Sequence, residues 1–123
     1  MTKNDLKLVK IDATDMTLGR LCAQASSKLQ GKHLVDWQPN KFSGVQVVIM
    51  NVAKLRFTGN KLSGKLYHSF SGYPGGIKTT TLGYRFTKNP TALVRNVIKH
   101  MLPKNRLNAR WLKNLKIYRT EVK

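Results

Sequence analysis

The order of secondary-structure signals in the first half of the chain restricts the fold more than any other feature of the sequence. Residues 6–12 have the mixed apolar and basic character of a strand, and apolar residues then recur at helical spacing from residue 18 to residue 29. Thr17 is placed to cap this helix and Gly31 to end it. Residues 45–52 contain the run Val-Val-Ile-Met, typical of a strand buried on both faces of a parallel sheet. Strand, helix and strand in this order predict an α/β fold with a small, mostly parallel sheet.

The second half continues with a loop region and two helices. Residues 54–57 are predicted to add a short strand, and residues 58–81, rich in Gly, Ser, Thr and Lys, an ordered loop or a long hairpin. Asn89 and Pro90 fit the cap and the first position of a helix that ends before Pro103. A further helix is predicted over residues 106–115 and a last strand over residues 116–119. Because no repeat or linker interrupts the sequence, we expect one domain over residues 1–123.

Electric charge is the feature that points to a partner. The chain has 23 Lys and Arg against 5 Asp and Glu, a formal net charge of +18. Residues 61–123 hold fourteen basic side chains and one acidic side chain, Glu121, whereas residues 1–60 hold nine and four. A free globular protein gains nothing from so much self-repulsion, which a polyanion would neutralise. We therefore expect nucleic acid as the partner, with most anion contacts in the second half.

Other classes of protein and of site are disfavoured. The apolar runs are far shorter than a bilayer span, and the first residues lack the pattern of a signal or transit peptide, so we expect a cytosolic-type chain with no membrane contact. Cys22 is alone, which excludes an internal disulfide, and its place on the helical stripe predicts a core residue. His33, His68 and His100 match no metal motif. No metal, cofactor or small-molecule substrate is expected.

Two short patterns approach catalytic motifs. Residues 59–66 nearly match the phosphate-binding loop of nucleotide hydrolases, but Leu66 stands where that loop needs Ser or Thr for magnesium. Asp12 and Asp15 lie close in sequence, yet at a strand-to-helix turn such carboxylates usually bind backbone donors or pair with nearby bases. Both patterns are therefore interpreted as structural.

Two other stretches suit contacts with RNA. In residues 69–78 three glycines allow a close backbone approach, and Tyr73 either stacks on a base or is the buried aromatic of a tight turn, while Lys78 is placed to meet a phosphate. In residues 101–107, Lys104 and Arg106 flank the start of a helix, which is a ready phosphate site.

Five segments carry a resemblance to a known family. They are residues 9–14 (Val-Lys-Ile-Asp-Ala-Thr), 17–21 (Thr-Leu-Gly-Arg-Leu), 31–33 (Gly-Lys-His), 71–78 (Ser-Gly-Tyr-Pro-Gly-Gly-Ile-Lys) and 101–107 (Met-Leu-Pro-Lys-Asn-Arg-Leu). In order and spacing, over nearly the whole chain, they resemble bacterial-type members of the large-subunit ribosomal protein L-thirteen family.

The resemblance implies a three-layer α/β/α domain with a small, mainly parallel sheet and a basic loop region. It also implies a non-catalytic protein that binds 23S-type rRNA, supports early subunit assembly and touches neighbouring ribosomal proteins, on a cytoplasmic or an organellar ribosome. The chain departs from the family pattern at Ser69-Phe70, where many members have Arg-His, and at Asn108-Ala109, where they often have Gly-Arg. It also lacks the family's His-Pro tail, and contacts made by these features are expected to be missing or moved.

The prediction is a structural rRNA-binding protein rather than an enzyme. The side chains expected to contact RNA phosphates are Arg20, Lys32, Lys61, Lys65, Lys78, Lys104, Arg106, Arg110 and Lys113, with Tyr73 as a stacking or loop-fixing residue. Two alternatives remain open at this point. One is an RNA-processing enzyme that uses His68 or His100, and the other is a regulator that binds messenger RNA.

Overall fold

The computed structural model describes residues 7–121 and has five strands and five α-helices within them. The elements in chain order are β1 (Leu8–Asp12), α1 (Leu18–Gln30), β2 (Gln46–Met50), a 3₁₀ helix (Val52–Lys54), α2 (Lys61–Gly64), β3 (Leu66–Phe70), β4 (Ile77–Thr81), α3 (Leu82–Lys88), α4 (Pro90–Met101), α5 (Leu107–Lys113) and β5 (Leu115–Ile117). This mixture confirms the α/β class. Within residues 7–121 no helix has the length and apolar character needed to cross a bilayer.

The main sheet has three strands in the order β1-β2-β5. Both pairs are parallel, with Val9 opposite Val47 and Val47 opposite Leu115. The small parallel sheet predicted from the sequence is therefore confirmed.

All the helices that build the core lie on one face of this sheet. The connections from β1 to β2 and from β2 to β5 step across the sheet in the same direction. Because crossovers between parallel strands are right-handed, both connections are placed on the same face. The burial pattern agrees, since the sheet residues Ile11, Val47, Ile49 and Leu115 share one core cluster with buried residues of α1, α4 and α5.

The other face of the sheet, here called the open sheet face, is formed by Leu8, Lys10, Asp12, Gln46, Val48, Met50 and Lys116. Lys10, Gln46 and Lys116 are exposed, and Val48 and Met50 are only half-buried. Full burial of the central strand on both faces, expected from its apolar run, is therefore wrong: Val47 and Ile49 are buried on the core side, whereas Val48 and Met50 are not fully covered.

An antiparallel hairpin projects from the loop region. Strands β3 and β4 pair from Leu66 opposite Thr81 to Phe70 opposite Ile77, so the predicted hairpin is confirmed for residues 66–81 but not for residues 58–65. Its turn places Gly72 and Gly75 at φ 89° and 72°, in the left-handed region that favours glycine. Leu82 anchors the base of the hairpin: its side chain is buried, and its backbone N–H donates to the Lys65 carbonyl at 3.0 Å.

Several local boundaries differ from the prediction. Residues 54–57 do not form a full strand: Asn51 adopts φ 59° at the end of β2, the chain turns into the 3₁₀ helix, and only Arg56 makes an isolated parallel bridge, with Thr17. The last strand is Leu115–Ile117 rather than residues 116–119, and the helix before it ends at Lys113. Helices α2 and α3 are absent from the prediction.

The two predicted helix caps behave differently. Thr17 precedes α1, but its hydroxyl makes no capping hydrogen bond, so that detail is wrong. Asn89 does cap α4: its side-chain oxygen accepts from the Ala92 backbone N–H at 3.2 Å, and Pro90 follows at the first helical position. Gly31 ends α1 at φ 78°, as predicted.

Candidate nucleic-acid interface

Most basic side chains of this protein belong to a stretch of sequence that contains no acidic residue. Residues 37–120 contain sixteen Lys and Arg and no Asp or Glu. Every one of the ten residues predicted to contact RNA is exposed. Since ion pairs within this stretch are impossible, its positive potential is available to an external polyanion.

One part of this surface lies beside the start of α1. Lys61 and Lys65 line a cleft there with Gly19 and Arg56. The chain reaches this arrangement because the backbone N–H of Arg56 donates to the Met16 carbonyl at 3.0 Å, which holds the segment after the 3₁₀ helix against the strand-to-helix turn. Two of the predicted residues are therefore brought together, and Arg56, which sequence reasoning missed, joins them.

A second part lies at the connection between α4 and α5. Lys104 lines a shallow depression with Lys99, and the Asn108 side chain ties the connection down by donating to the Lys99 and Pro103 carbonyls at 3.2 and 3.1 Å. The Leu107 backbone N–H already donates to the Asn105 side chain at 3.0 Å. Phosphate binding predicted at this helix start would therefore depend on the Lys and Arg side chains rather than on that N–H group.

The hairpin tip, defined as Phe70, Tyr73 and Ile77, is a third part. These side chains are 68%, 75% and 65% exposed. The alternative of a tight turn with a buried aromatic is therefore wrong for Tyr73. Lys78 follows on β4, opposite Ser69, so a cation lies next to the exposed apolar surface.

The remaining predicted residues are distributed over other surfaces. Arg20 lies on α1, and Arg110 and Lys113 lie on α5. The Lys32 ammonium lies 5.8 Å from the centre of the Trp37 ring, on the segment that follows α1. The ten residues therefore form several basic patches and not one compact site.

The fold brings together a further group of basic side chains, of which only Arg85 is absent from the sequence analysis. Arg85, His68 and His100 line one cleft together with Lys65, between the hairpin and α4. The three residues come from β3, α3 and α4, so no local spacing in the sequence signals that they meet.

Arg95 is also absent from the prediction, and its role is structural. Its guanidinium donates to the Leu112 and Leu115 carbonyls at 3.2 and 3.1 Å, which joins α4 to the end of α5 and the start of β5.

Asp12 is a structural carboxylate, as predicted. Its Oδ1 accepts from the Thr14 hydroxyl at 2.7 Å, the Thr14 backbone N–H at 3.0 Å and the Asn51 side-chain amide at 3.0 Å. These hydrogen bonds, the Thr14 hydroxyl first, lower the pKa of Asp12 from 3.8 to about 2. A carboxylate held so firmly in its ionised form is a poor general acid or base near neutral pH.

Metal and thiol chemistry find no support in the described residues. Across residues 7–121, no group of three His, Cys, Asp or Glu side chains could hold a metal ion. Cys22 is fully buried in the core, and burial raises the pKa of its thiol to about 12. The prediction that Cys22 is a small core residue is confirmed.

Residues 61–66 also lack the geometry of a nucleotide-hydrolase loop. In that loop the Lys and the Ser or Thr after it open a helix. Here the short helix α2 precedes Lys65, and Leu66 begins a strand.

Comparison with known proteins identifies the family. The profile of the family described as ribosomal protein L13 matches residues 6–123. The large ribosomal subunit protein uL13 of Trichlorobacter lovleyi is 45% identical over 108 residues, which are 88% of this chain and 76% of that protein. The uL13 proteins of Kocuria rhizophila and Thermus thermophilus are 47% and 44% identical, over 88% and 89% of this chain and 74% and 79% of their own lengths. The chain therefore belongs to the ribosomal protein L13 family, whose members are structural and not enzymatic components of the ribosome.

Proposed function

We propose that this protein is a structural constituent of the large ribosomal subunit that binds 23S-type rRNA through its basic surface and supports early subunit assembly. The observation that carries the proposal is the acid-free stretch of residues 37–120 with its sixteen basic side chains. Relatives named as large ribosomal subunit proteins support it, because they match this chain over most of its length.

The mechanism of binding follows from the separate basic patches. Lys and Arg contacts to phosphates release counterions, which supplies most of the affinity and makes it depend on salt. Side chains cannot enter the deep major groove of an A-form helix, so recognition relies on RNA shape and on unpaired bases. The exposed hairpin tip beside Lys78 is suited to stack on such bases, with Tyr73 as the main aromatic.

Neighbouring ribosomal proteins are the second class of partner in this proposal. The open sheet face supports it, because parallel sheets generally have both faces covered and this face leaves Val48 and Met50 only half-buried. The site of action is the ribosome of the cytoplasm, with an organellar ribosome as the alternative.

The salt dependence of rRNA binding tests the proposal. Binding of purified large-subunit rRNA is measured by filter retention over a range of salt concentrations, for the unmodified chain and for the double variant Lys104→Ala with Arg106→Ala. Loss of two phosphate contacts should weaken binding and reduce the slope of log affinity against log salt by about 1 to 2 units.

A matched double variant serves as the control. Lys7→Ala with Lys10→Ala removes the same net charge from exposed positions in the first half of the chain. Its slope should change less, because the proposal assigns most contacts to the acid-free stretch. Equal slopes for both double variants would show that only net charge matters, and the assigned surface would be wrong. Absence of rRNA binding by the unmodified chain at moderate salt would refute the proposed function as a whole.

A further inference from the structure

One cleft contains two histidines and an arginine to which the proposed function assigns no role. We call it the histidine cleft, and it has a volume of about 510 Å³. Its lining residues are Lys65, Tyr67, His68, Arg85, Asn96, Val97, His100 and Met101. The volume lies in the usual range for ligand sites, so the cleft is large enough for a nucleotide unit.

Arg85 is held in a fixed position at this cleft. Its Nε donates to the Thr80 hydroxyl oxygen at 3.0 Å, and its guanidinium carbon lies 4.5 Å from the centre of the Tyr67 ring. The side chain is half-buried, and no carboxylate within residues 7–121 neutralises it. Partial burial of a charge without a counterion is costly, whereas a fixed guanidinium is the group that best recognises phosphate oxygens. The cleft therefore has a preformed anion contact.

Lys65 adds a second charge on the same aromatic ring. Its ammonium lies 5.8 Å from the centre of the Tyr67 ring. Lys65, Val97 and Met101 also line the adjoining cleft that holds Lys61 and Arg56. The two clefts therefore lie side by side. A chain of phosphates can contact the cations of both clefts at once, whereas a single small anion occupies one.

The two histidines each have one ring nitrogen already engaged. His100 Nδ1 lies 2.7 Å from the Asn96 carbonyl oxygen, which can only accept, so Nδ1 carries the proton and Nε2 is the remaining nitrogen. His68 Nδ1 lies 3.0 Å from the Thr79 hydroxyl oxygen. In the charged form of either ring, Nε2 becomes a donor to an anion.

We infer that the histidine cleft binds a phosphodiester group of RNA, with Arg85 and Lys65 as permanent cations and with His68 and His100 as donors that strengthen the contact when they are protonated. This inference rests on the RNA-binding function proposed above and adds a pH dependence to it. The other charged or titratable groups that line the cleft are Lys65, Tyr67 and Arg85, and no acid is among them. Acidification below neutral pH therefore only adds positive charge at this place.

The first test measures affinity for purified large-subunit rRNA at about pH 8 and about pH 6, where histidine is the side chain that changes charge. The unmodified chain should bind roughly tenfold more tightly at the lower pH, the size expected from charge-assisted hydrogen bonds. The double variant His68→Gln with His100→Gln should lose this gain. The comparison variant His33→Gln should keep it, because His33 does not line the cleft. Both cleft histidines are exposed, so their replacement leaves the core intact.

A second measurement does not depend on variants. The imidazole resonances of the three histidines are followed by NMR while a short oligouridylate is added at about pH 6. Resonances of His68 and His100 should shift, and those of His33 should shift less.

The outcomes separate this inference from the proposed function. The inference about the histidine cleft would be overturned if the double variant still bound more tightly at the lower pH, or if the unmodified chain did not. The proposed rRNA binding would stand in either case. Failure to bind rRNA at either pH would overturn both. If the unmodified chain cleaves the rRNA and the double variant does not, the inference would also be overturned. The cleft would then be the active site of an RNA-processing enzyme that uses His68 or His100.

Discussion

Tyr67 has two different environments within one side chain. Its ring face carries Arg85 and Lys65 at the histidine cleft. Its hydroxyl is buried and has no hydrogen-bond partner among residues 7–121. Burial raises the pKa of Tyr67, although the nearby Arg85 opposes this. The ring therefore supports the cleft, while the hydroxyl is an unsatisfied polar group.

The first prediction separates these two parts of Tyr67. Tyr67→Phe keeps the ring face and removes the hydroxyl, so the free energy of unfolding should stay the same or rise by about 1 kcal/mol. Urea denaturation measures it, with Tyr84→Phe as the control because Tyr84 is 56% exposed. A loss of stability in Tyr67→Phe alone would mean that the hydroxyl has a partner after all.

The second prediction concerns the carboxylate of Asp12. Its folded pKa is lowered, so its contribution to stability is present above the unfolded value near 3.8 and is lost as the pH falls through about 2. Thr14→Val removes the hydroxyl that is the largest cause and should raise the pKa of Asp12 toward its ordinary value. The carboxyl carbon shift, followed by NMR against pH, measures this. If the pKa of Asp12 is the same in Thr14→Val, the Thr14 backbone N–H and the Asn51 side chain are the main causes of its lowering.

At the scale of elements, the hairpin β3–β4 depends on its turn more than on the core. Its strands are largely exposed, and a two-stranded hairpin is only marginally stable by itself. In the turn, the Ser71 backbone N–H donates to the Gly76 carbonyl at 3.1 Å, and the Gly76 N–H donates to the Tyr73 carbonyl at 2.9 Å. A side chain at Gly76 would collide with Ser71 Oγ and approach the Tyr73 carbonyl oxygen to 2.9 Å.

The third prediction follows from this crowding. Gly76→Ala should disorder the hairpin tip and weaken rRNA binding about tenfold, the loss expected when one base stacked on an aromatic ring is released. The melting temperature should change little, because the core lies elsewhere. Gly64→Ala is the matched control, since a Cβ there meets nothing within 4 Å. Equal affinities for the two variants would show that the tip makes no RNA contact.

The sequence predicts elements well where one local signal decides the structure. Asn89 and Pro90 mark the start of α4, and Gly31 marks the end of α1, because capping and left-handed glycine are local effects. The strand predicted over residues 54–57 is wrong because the chain turns at Asn51, which has a positive φ. A hydrogen bond from the Asn51 side chain to Asp12 helps to hold this turn. The apolar run of β2 gives no sign of the open sheet face, since strand order, not composition, decides which face the helices cover.

At the scale of the whole molecule, charge is predictable from the sequence and its arrangement is not. Composition alone indicates a polyanion as partner, and the exposed positions of Lys61, Lys65 and Lys104 agree with that prediction. His68 and His100 were individually noted, but their meeting at one cleft depends on how β3 and α4 pack. Arg85 could not be singled out, because a hydrogen bond to Thr80 and a stacked Tyr67 ring are properties of the fold.

The last prediction concerns the net charge of +18. Repulsion among these charges destabilises the free protein, and salt screens it, so the melting temperature should rise by about 5 °C between about 0.02 M and about 0.5 M sodium chloride. Over the same range, affinity for rRNA should fall, because releasing counterions into a more concentrated salt solution gains less entropy. Differential scanning calorimetry and filter binding on one preparation measure the two trends. A melting temperature that falls or stays constant with salt would mean that the cations are already neutralised within the folded chain, and the acid-free stretch would then lose its meaning as an RNA-binding surface.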